Sequence, residues 1–208
     1  MSAQTIITIS RQYASGGKEI GKKVAEKLSI PFYDKELITL AAEKSGFSQE
    51  LFENADEKAS SSLLYSLLMG SYAFGNGVSA ANVLPINDQL FLIQSELIKK
   101  AAEEGPCVIV GRCADYVLRE HKNCLNVFIH ADKAARLQRA IQEYHVPENK
   151  AAETLIKKDK QRANYYNFYA NQKWDSLDNY DLVLNSSALG IDNAAELILR
   201  AAEMYQHS

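Results

Sequence analysis

The chain is poor in several of the residues that announce a specialised class. Its three cysteines, Cys107, Cys113 and Cys124, are too few and too irregularly spaced for a disulfide framework or a four-ligand zinc site. The four histidines, His121, His130, His145 and His207, show no HExxH or paired-ligand spacing, so no metal held by protein ligands alone is expected. No charge of one sign dominates: the net charge is −3, which excludes the broad basic surface that DNA, RNA or an anionic membrane would require. No apolar run approaches a membrane span, and the N-terminal residues lack the basic segment and long apolar stretch of a signal peptide. The expected location is the cytoplasm, with neither nucleic acid nor membrane as a partner. Any phosphate chemistry must then rest on local clusters of Arg and Lys.

What is present is an ordinary globular composition, 47% hydrophobic over 208 residues, enough for one substantial core. Short β-branched or apolar runs at Thr5 to Ile9, Ile30 to Tyr33, Cys107 to Val110, Leu125 to Ile129 and Tyr180 to Leu184 suit buried parallel strands. Helical spacing separates them. Ile20, Val24, Ala25 and Leu28 predict a first helix, Asn87 to Glu103 one that ends at Gly105-Pro106, and Ala114 to Glu120 a short one. Lys133 to Tyr144, Ala151 to Tyr169 (one long polar helix or a helical hairpin) and Ile191 to Tyr205 complete the set. A further helix is expected around Leu37 to Ala41, capped by Asp34. Residues 45 to 85 depart from this alternation, with helical stretches near 49–55 and 61–72 and a loose Gly75-Asn76-Gly77. Five strands with intervening helices predict a three-layer α/β fold on a parallel sheet, with its site in the loops after residues 9, 33, 110 and 129.

The loop after the first strand, Ser10 to Lys18, is glycine-bearing and runs into a helix, the context of a phosphate-binding loop. If Gly17-Lys18 is the GK pair of that motif, Gln12 stands at the opening glycine and Glu19 at the Ser/Thr position. If the loop is counted from the strand end, the lysine position falls on Gly17, Lys18 points elsewhere and Arg11 can supply the charge. A tight turn without a ligand is the third reading of the same letters.

Four segments together resemble the bacterial cytidylate kinase-like family: Ile9-Ser-Arg-Gln-Tyr-Ala-Ser-Gly-Gly-Lys-Glu-Ile-Gly21, Pro31-Phe-Tyr-Asp34, Ile109-Val-Gly-Arg112-Cys-Ala-Asp115-Tyr116 and Asp159-Lys-Gln-Arg162-Ala-Asn-Tyr-Tyr166. The resemblance spans nearly the whole chain. It implies a P-loop NTPase-type fold as a single domain over 1–208, an acceptor-binding helical insertion at about 45–86 and a lid at about 136–172. It also implies a kinase that moves the γ-phosphate of ATP to a small acceptor, with magnesium held mainly by the nucleotide phosphates. Carried over, Arg11, Ser15, Gly16, Gly17, Lys18 and Glu19 would meet the donor phosphates. Arg112 would take the acceptor's phosphate in a bidentate grip, and Asp34 and Asp115 its base or sugar, or a magnesium-bound water. Arg136 and Arg139 would meet the ATP phosphates from the base of the lid, Arg162 would close over the phosphates, and Lys18, Arg112 and Arg162 would be the catalytic residues.

Each position has a plainer reading as well. Arg112 could be a structural salt bridge, Asp34 a helix cap, and the three lid arginines a solvated face. The aromatic run Tyr165, Tyr166, Phe168, Tyr169 with Trp174 could stack on a base, but at helical spacing it reads as packing, against the core or against a second copy in a homodimer. A nucleotide- or anion-binding module without transfer, and a kinase of a non-nucleotide metabolite, are the competing functions.

Overall fold

Strand β1 (Ile6–Arg11) is buried along all but its last residue, as a strand must be when both faces of its sheet are covered. In the computed structural model, which describes residues 5–35 and 86–205, β1 is the centre of a five-stranded sheet. β2 (Phe32–Tyr33), β3 (Val108–Val110), β4 (Cys124–His130) and β5 (Leu182–Asn185) complete it, in the order β2-β3-β1-β4-β5. Every pairing is parallel, with Ile9 opposite Val110 on one side and Val127 on the other.

Successive side chains of β1 go to opposite faces. Ile7 and Ile9 join Ile20 and Val24 of α1 (Gly17–Leu28) and Ala194, Ala195 and Ile198 of α7 (Ile191–Tyr205). Ile6 and Ile109 pack against Ile98 of α2 (Ile86–Glu104) and Ala114 of α3 (Ala114–Val117). Helices on both faces make the three layers that the strand pattern predicted. Between β4 and β5 lie α4 (Lys133–Gln142) and α5 (Glu148–Ala170), and the short α6 (Ser186–Leu189) follows β5.

The long polar segment is one helix of 23 residues rather than a hairpin. Its aromatic side has found partners within the chain: Tyr166 and Trp174 are buried with Phe128, and Phe91 of α2 stacks on Tyr169 with centroids 4.0 Å apart. The expected helix after Asp34, and the two expected stretches at 49–55 and 61–72, lie outside the described residues. So does the expected insertion, except that Ile86 opens α2. Among the described residues no helix is long and apolar enough to cross a membrane.

Candidate active site

The order of the strands reverses around β1, so the loops leaving β1 and β3 meet at the carboxyl edge of the sheet, where ligands of such sheets bind. After β1 the chain alternates in handedness: Ala14 has φ 59° and Gly16 φ 78°, while Ser15 between them and Gly17 after them do not have positive φ. Alternation of this kind turns successive N–H groups toward one side and forms an anion-binding nest at the start of α1. Gly16 is its N-cap. The nest is held from outside, since Ser186 Oγ donates to the Ser15 carbonyl at 2.6 Å and Ser15 Oγ donates to the Gln12 carbonyl at 2.9 Å.

A clasp from the helical layer fixes the middle of the loop. Asp159 Oδ1 on α5 accepts the Tyr13 N–H at 2.7 Å, and Arg136 Nε on α4 donates to the Tyr13 carbonyl at 2.8 Å. Arg136 and Asp159 are also paired with each other, closing a ring around the backbone of one residue. Arg136, expected among the phosphate ligands, thus spends its guanidinium on the loop backbone and is buried. Arg139 is different: its Nη1 bonds Glu19 at 2.9 Å and Glu143 at 3.0 Å, and lies 3.3 Å from where a Cβ on Gly16 would be. It covers the helix start, with Glu19 as its counter-ion.

On the β3 side, Gly111, Arg112 and Cys113 have φ of 81°, 60° and 55° in succession. Non-glycine residues hold such angles only where the surroundings impose them, at about 1 kcal/mol or more each. The turn directs Arg112 back over the sheet edge, its Cζ 5.8 Å from the Tyr165 ring centroid. There Arg11, Arg112 and Arg162 converge with Lys35 and Lys158 on a cavity of about 360 Å³, and none of the described residues lining it is a carboxylate. Arg162 Nη1 also donates to the Arg11 carbonyl at 2.8 Å.

Burial, and then the neighbouring guanidiniums of Arg162 and Arg112, act against the charged form of Arg11, with Asp34 offsetting them. Burial together with Arg112, Lys158, Arg11 and Arg162 pushes the Lys35 ammonium down to about 8. A guanidinium does not give up its proton in a protein, so Arg11 keeps its positive charge at the cavity wall. Lys18 does not line the cavity. Its Nζ lies 2.7 Å from Asp34 Oδ2, and the buried Asp34 follows β2.

Of the expected residues, the fold therefore brings Arg11, Arg112 and Arg162 to one cavity and puts Ser15, Gly16, Gly17, Glu19 and Arg139 at the helix start. Asp115 lies below, buried in the first turn of α3, where its Oδ2 accepts from Tyr166 Oη at 2.6 Å. Burial raises its carboxyl above the usual range, with the Tyr166 hydrogen bond opposing. Tyr166→Phe should cost about 1.5–3 kcal/mol, the range for a hydrogen bond to a charged group. In urea titrations the loss should grow as pH rises through the Asp115 titration, because the unsupported carboxylate is the costlier form.

Lys35 and Lys158 were not singled out from the sequence as ligand-facing, and Tyr165 was read as packing although it lines the cavity. One signal was available: Lys158, Arg162 and Tyr165 are spaced i, i+4, i+7 and share a helix face. Among the described residues no group of three His, Cys, Asp or Glu side chains is placed to hold a metal ion.

A parallel sheet with a phosphate-type loop between β1 and α1, and arginines gathered at its carboxyl edge, defines a P-loop kinase fold. Two solved structures share that fold at low identity: a gluconokinase from Sinorhizobium meliloti (TM-score 0.54, 13% identical, covering 100% of this chain and 99% of that one) and a shikimate kinase from Bacteroides thetaiotaomicron (0.52, 13%, 96% and 98%). The chain belongs to the cytidylate kinase-like family, whose model matches residues 6–188. Similar proteins include a cytidylate kinase of Archaeoglobus fulgidus, 25% identical over 201 residues, 95% of this chain and 94% of that protein. A cytidylate kinase of Methanococcus vannielii is 27% identical over 104 residues, 49% of this chain and 60% of that protein. An uncharacterized protein from Eubacterium ventriosum has a similar structure, with TM-score 0.70 and 27% identity over 96% of this chain and 99% of that one.

Proposed function

We propose that the chain transfers the γ-phosphate of ATP to a nucleoside monophosphate of the cytidylate type. The observation that carries this reading is the cavity at the edge of β1 and β3, where three arginines and two lysines converge beside the loop that opens α1. Phosphoryl transfer needs little covalent help from the protein. It needs two anionic groups held in line and their charge neutralised.

In this reading the donor's phosphates lie on the nest from Ser15 to Lys18, with Arg139 over the helix start. Its nucleoside enters the depression of about 250 Å³ bounded by Ala14, Arg139, Gln138 and Ser186. The acceptor's phosphate is gripped by Arg112, and Arg162 bridges donor and acceptor from α5. Asp34, through Lys18, sets the position of that ammonium at the end of the donor phosphates. Asp115 acts by holding Tyr166 and α5 in place. The expected lid, 136–172, comprises α4 and α5 and carries Arg136, Arg139 and Arg162; the acceptor's base is assigned to residues 45–86. Magnesium, when bound, neutralises the β- and γ-phosphates. The donor set suits an ion carried mainly on the nucleotide, with Asp34 as a carboxylate able to orient one of its waters.

The test is ATP consumption by the purified protein across a panel of nucleoside monophosphates and small alcohols, with and without magnesium. Magnesium-dependent turnover with a pyrimidine monophosphate supports the reading; turnover only with an alcohol would make the protein a metabolite kinase. The 2.7 Å pairing of Lys18 with Asp34 favours one other outcome, a nucleotide-binding module without transfer. Thermal stabilisation by ATP with no turnover on any acceptor would be its mark.

Lys35 adds a pH dependence. Because its ammonium titrates near 8, the affinity for an anionic acceptor should fall as pH rises through that value, by roughly the factor of ten that one lost charge contact of 1.4 kcal/mol represents. Lys35→Met should bind more weakly at pH 7 and show a flat profile between pH 7 and 9 in calorimetric titrations.

A further inference from the structure

The standard phosphate loop reads GxxxxGK[ST], and one residue fixes how it lies on this chain. Gly16, with φ 78°, is the glycine whose conformation demands glycine, whereas Gly17 is already helical. Gly16 therefore stands at the motif's second glycine. In that register Gly17 occupies the lysine position, Lys18 the Ser/Thr position and Arg11 the position of the first glycine.

The departures at 11 and 17 touch each other. A Cβ on Gly17 would lie 2.6 Å from Cβ and 3.0 Å from Cγ of Arg11, closer than side-chain carbons approach. A lysine at 17 and an arginine at 11 thus exclude one another. At its other end the guanidinium lies against the turn after β3, with Nη1 2.2 Å from where a Cβ on Gly111 would be, a position whose φ of 81° by itself calls for glycine. The side chain passes from the end of β1, beneath the first turn of α1, to the turn after β3, and there it lines the cavity.

We propose that Arg11 is the fixed phosphate-neutralising cation of this loop, transposed from position 17 to position 11, and that Gly17 is glycine because the Cβ and Cγ of the arginine need its space. The inference rests on the phosphotransfer reading in taking the anion at the loop to be the donor's phosphate chain. Two observations agree with it. Lys18 is engaged by Asp34, and the electrostatic crowding of Arg11 by Arg162 and Arg112 is of the kind that a polyanion relieves.

The transposition can be reversed. Arg11→Gly/Gly17→Lys restores the standard letters at both positions, and removing the Arg11 Cβ and Cγ clears the room that a lysine side chain at position 17 needs. Arg11→Gly, Arg11→Met and this double variant would be compared in the full chain, with thermal melting to verify folding. The readouts are kcat and KM for magnesium ATP and calorimetric binding of inorganic tripolyphosphate, which needs no turnover. Arg11→Gly and Arg11→Met should each lower kcat on the order of 100-fold and weaken tripolyphosphate binding about tenfold or more. The double variant should regain about tenfold in both.

Wild-type binding in a folded Arg11→Met, no gain in the folded double variant, or a wild type that binds no tripolyphosphate would each overturn the inference. Turnover that persists in Arg11→Met leaves the phosphotransfer reading standing and removes Arg11 from it. A wild type that binds tripolyphosphate through Arg11 but turns over no acceptor leaves Arg11 in place and removes the phosphotransfer reading.

Discussion

Alanine in place of Arg112 is expected to lower turnover on the order of 100-fold or more while shifting the thermal midpoint by only a few degrees. The two halves of this expectation have separate causes. Arg112 faces the cavity with Arg11 and Arg162, so in the proposed reaction its charge is used against an anion in a site with little competing water, where one fixed donor is worth 10²–10³ in rate. On the stability side, its pairing with Tyr165, whose ring centroid lies 5.8 Å from Cζ, is worth about 1 kcal/mol, and its backbone at φ 60° is one that alanine tolerates about as well as arginine does. Lys18→Ala should likewise lose turnover without unfolding, and here Asp34 would lose its ammonium partner, at a cost of about 1–3 kcal/mol. Steady-state kinetics on both variants, with melting curves as control, is the check. Full activity in both would remove Arg112 and Lys18 from the proposed site.

The second large effect is on stability. Asp159→Ala removes the acceptor of the Tyr13 N–H and the counter-ion of buried Arg136 at one stroke. Breaking one side of a buried pair costs about 3–5 kcal/mol because the other charge is stranded. Asp159 is partly open to solvent, 21% exposed against 9% for the Arg136 side chain, so the low end of that range, about 3 kcal/mol, is the expected value. For a chain of this size that corresponds to a midpoint lowered by roughly 6–12 °C. Activity should fall too, since the clasp shapes the loop at Tyr13, immediately before the residues that make the nest. Arg136→Met should cost less than Asp159→Ala, as Asp159 can still hold the Tyr13 N–H. The double variant should cost less than the sum of the two, because the stranded-charge penalty then disappears. Additive losses in chemical denaturation would show that the ring is not a unit.

Much of the framework was legible before any coordinates. The five apolar runs are strands, shifted by up to two residues at their ends, because a strand covered on both faces must be apolar throughout and the chain marks such runs by composition alone. The loop after β1 was legible as a place, since strand, glycines and amphipathic helix follow in order. Its register was not. The letters allow GK at 17–18, and only the handedness of Ala14 and Gly16 shows that α1 begins at Gly17. The helix Ala114 to Glu120 was read too long: α3 ends at Val117, and the chain then turns at Leu118 before β4.

The candidate site divides along the same line. That Arg11, Arg112 and Arg162 each meet a phosphate was an expectation carried by resemblance, and the tertiary structure leads the ends of β1 and β3 and one face of α5, which carry them, to a single cavity. That Arg136 is committed to Tyr13 and Asp159, that Asp115 is bonded to Tyr166 and that Lys18 meets Asp34 could not be read from local pattern. These partners lie 16 to 146 residues apart along the chain.

What the sequence by itself determined is the succession of strands and helices and the type of loop between the first two, because periodicity and backbone preference act over a few residues. What only the tertiary structure decided is the partner of each charge. An arginine selects among distant carboxylates, carbonyls and empty cavities according to which of them the fold buries beside it, and for Arg11 that decision turned on the small space left open by Gly17.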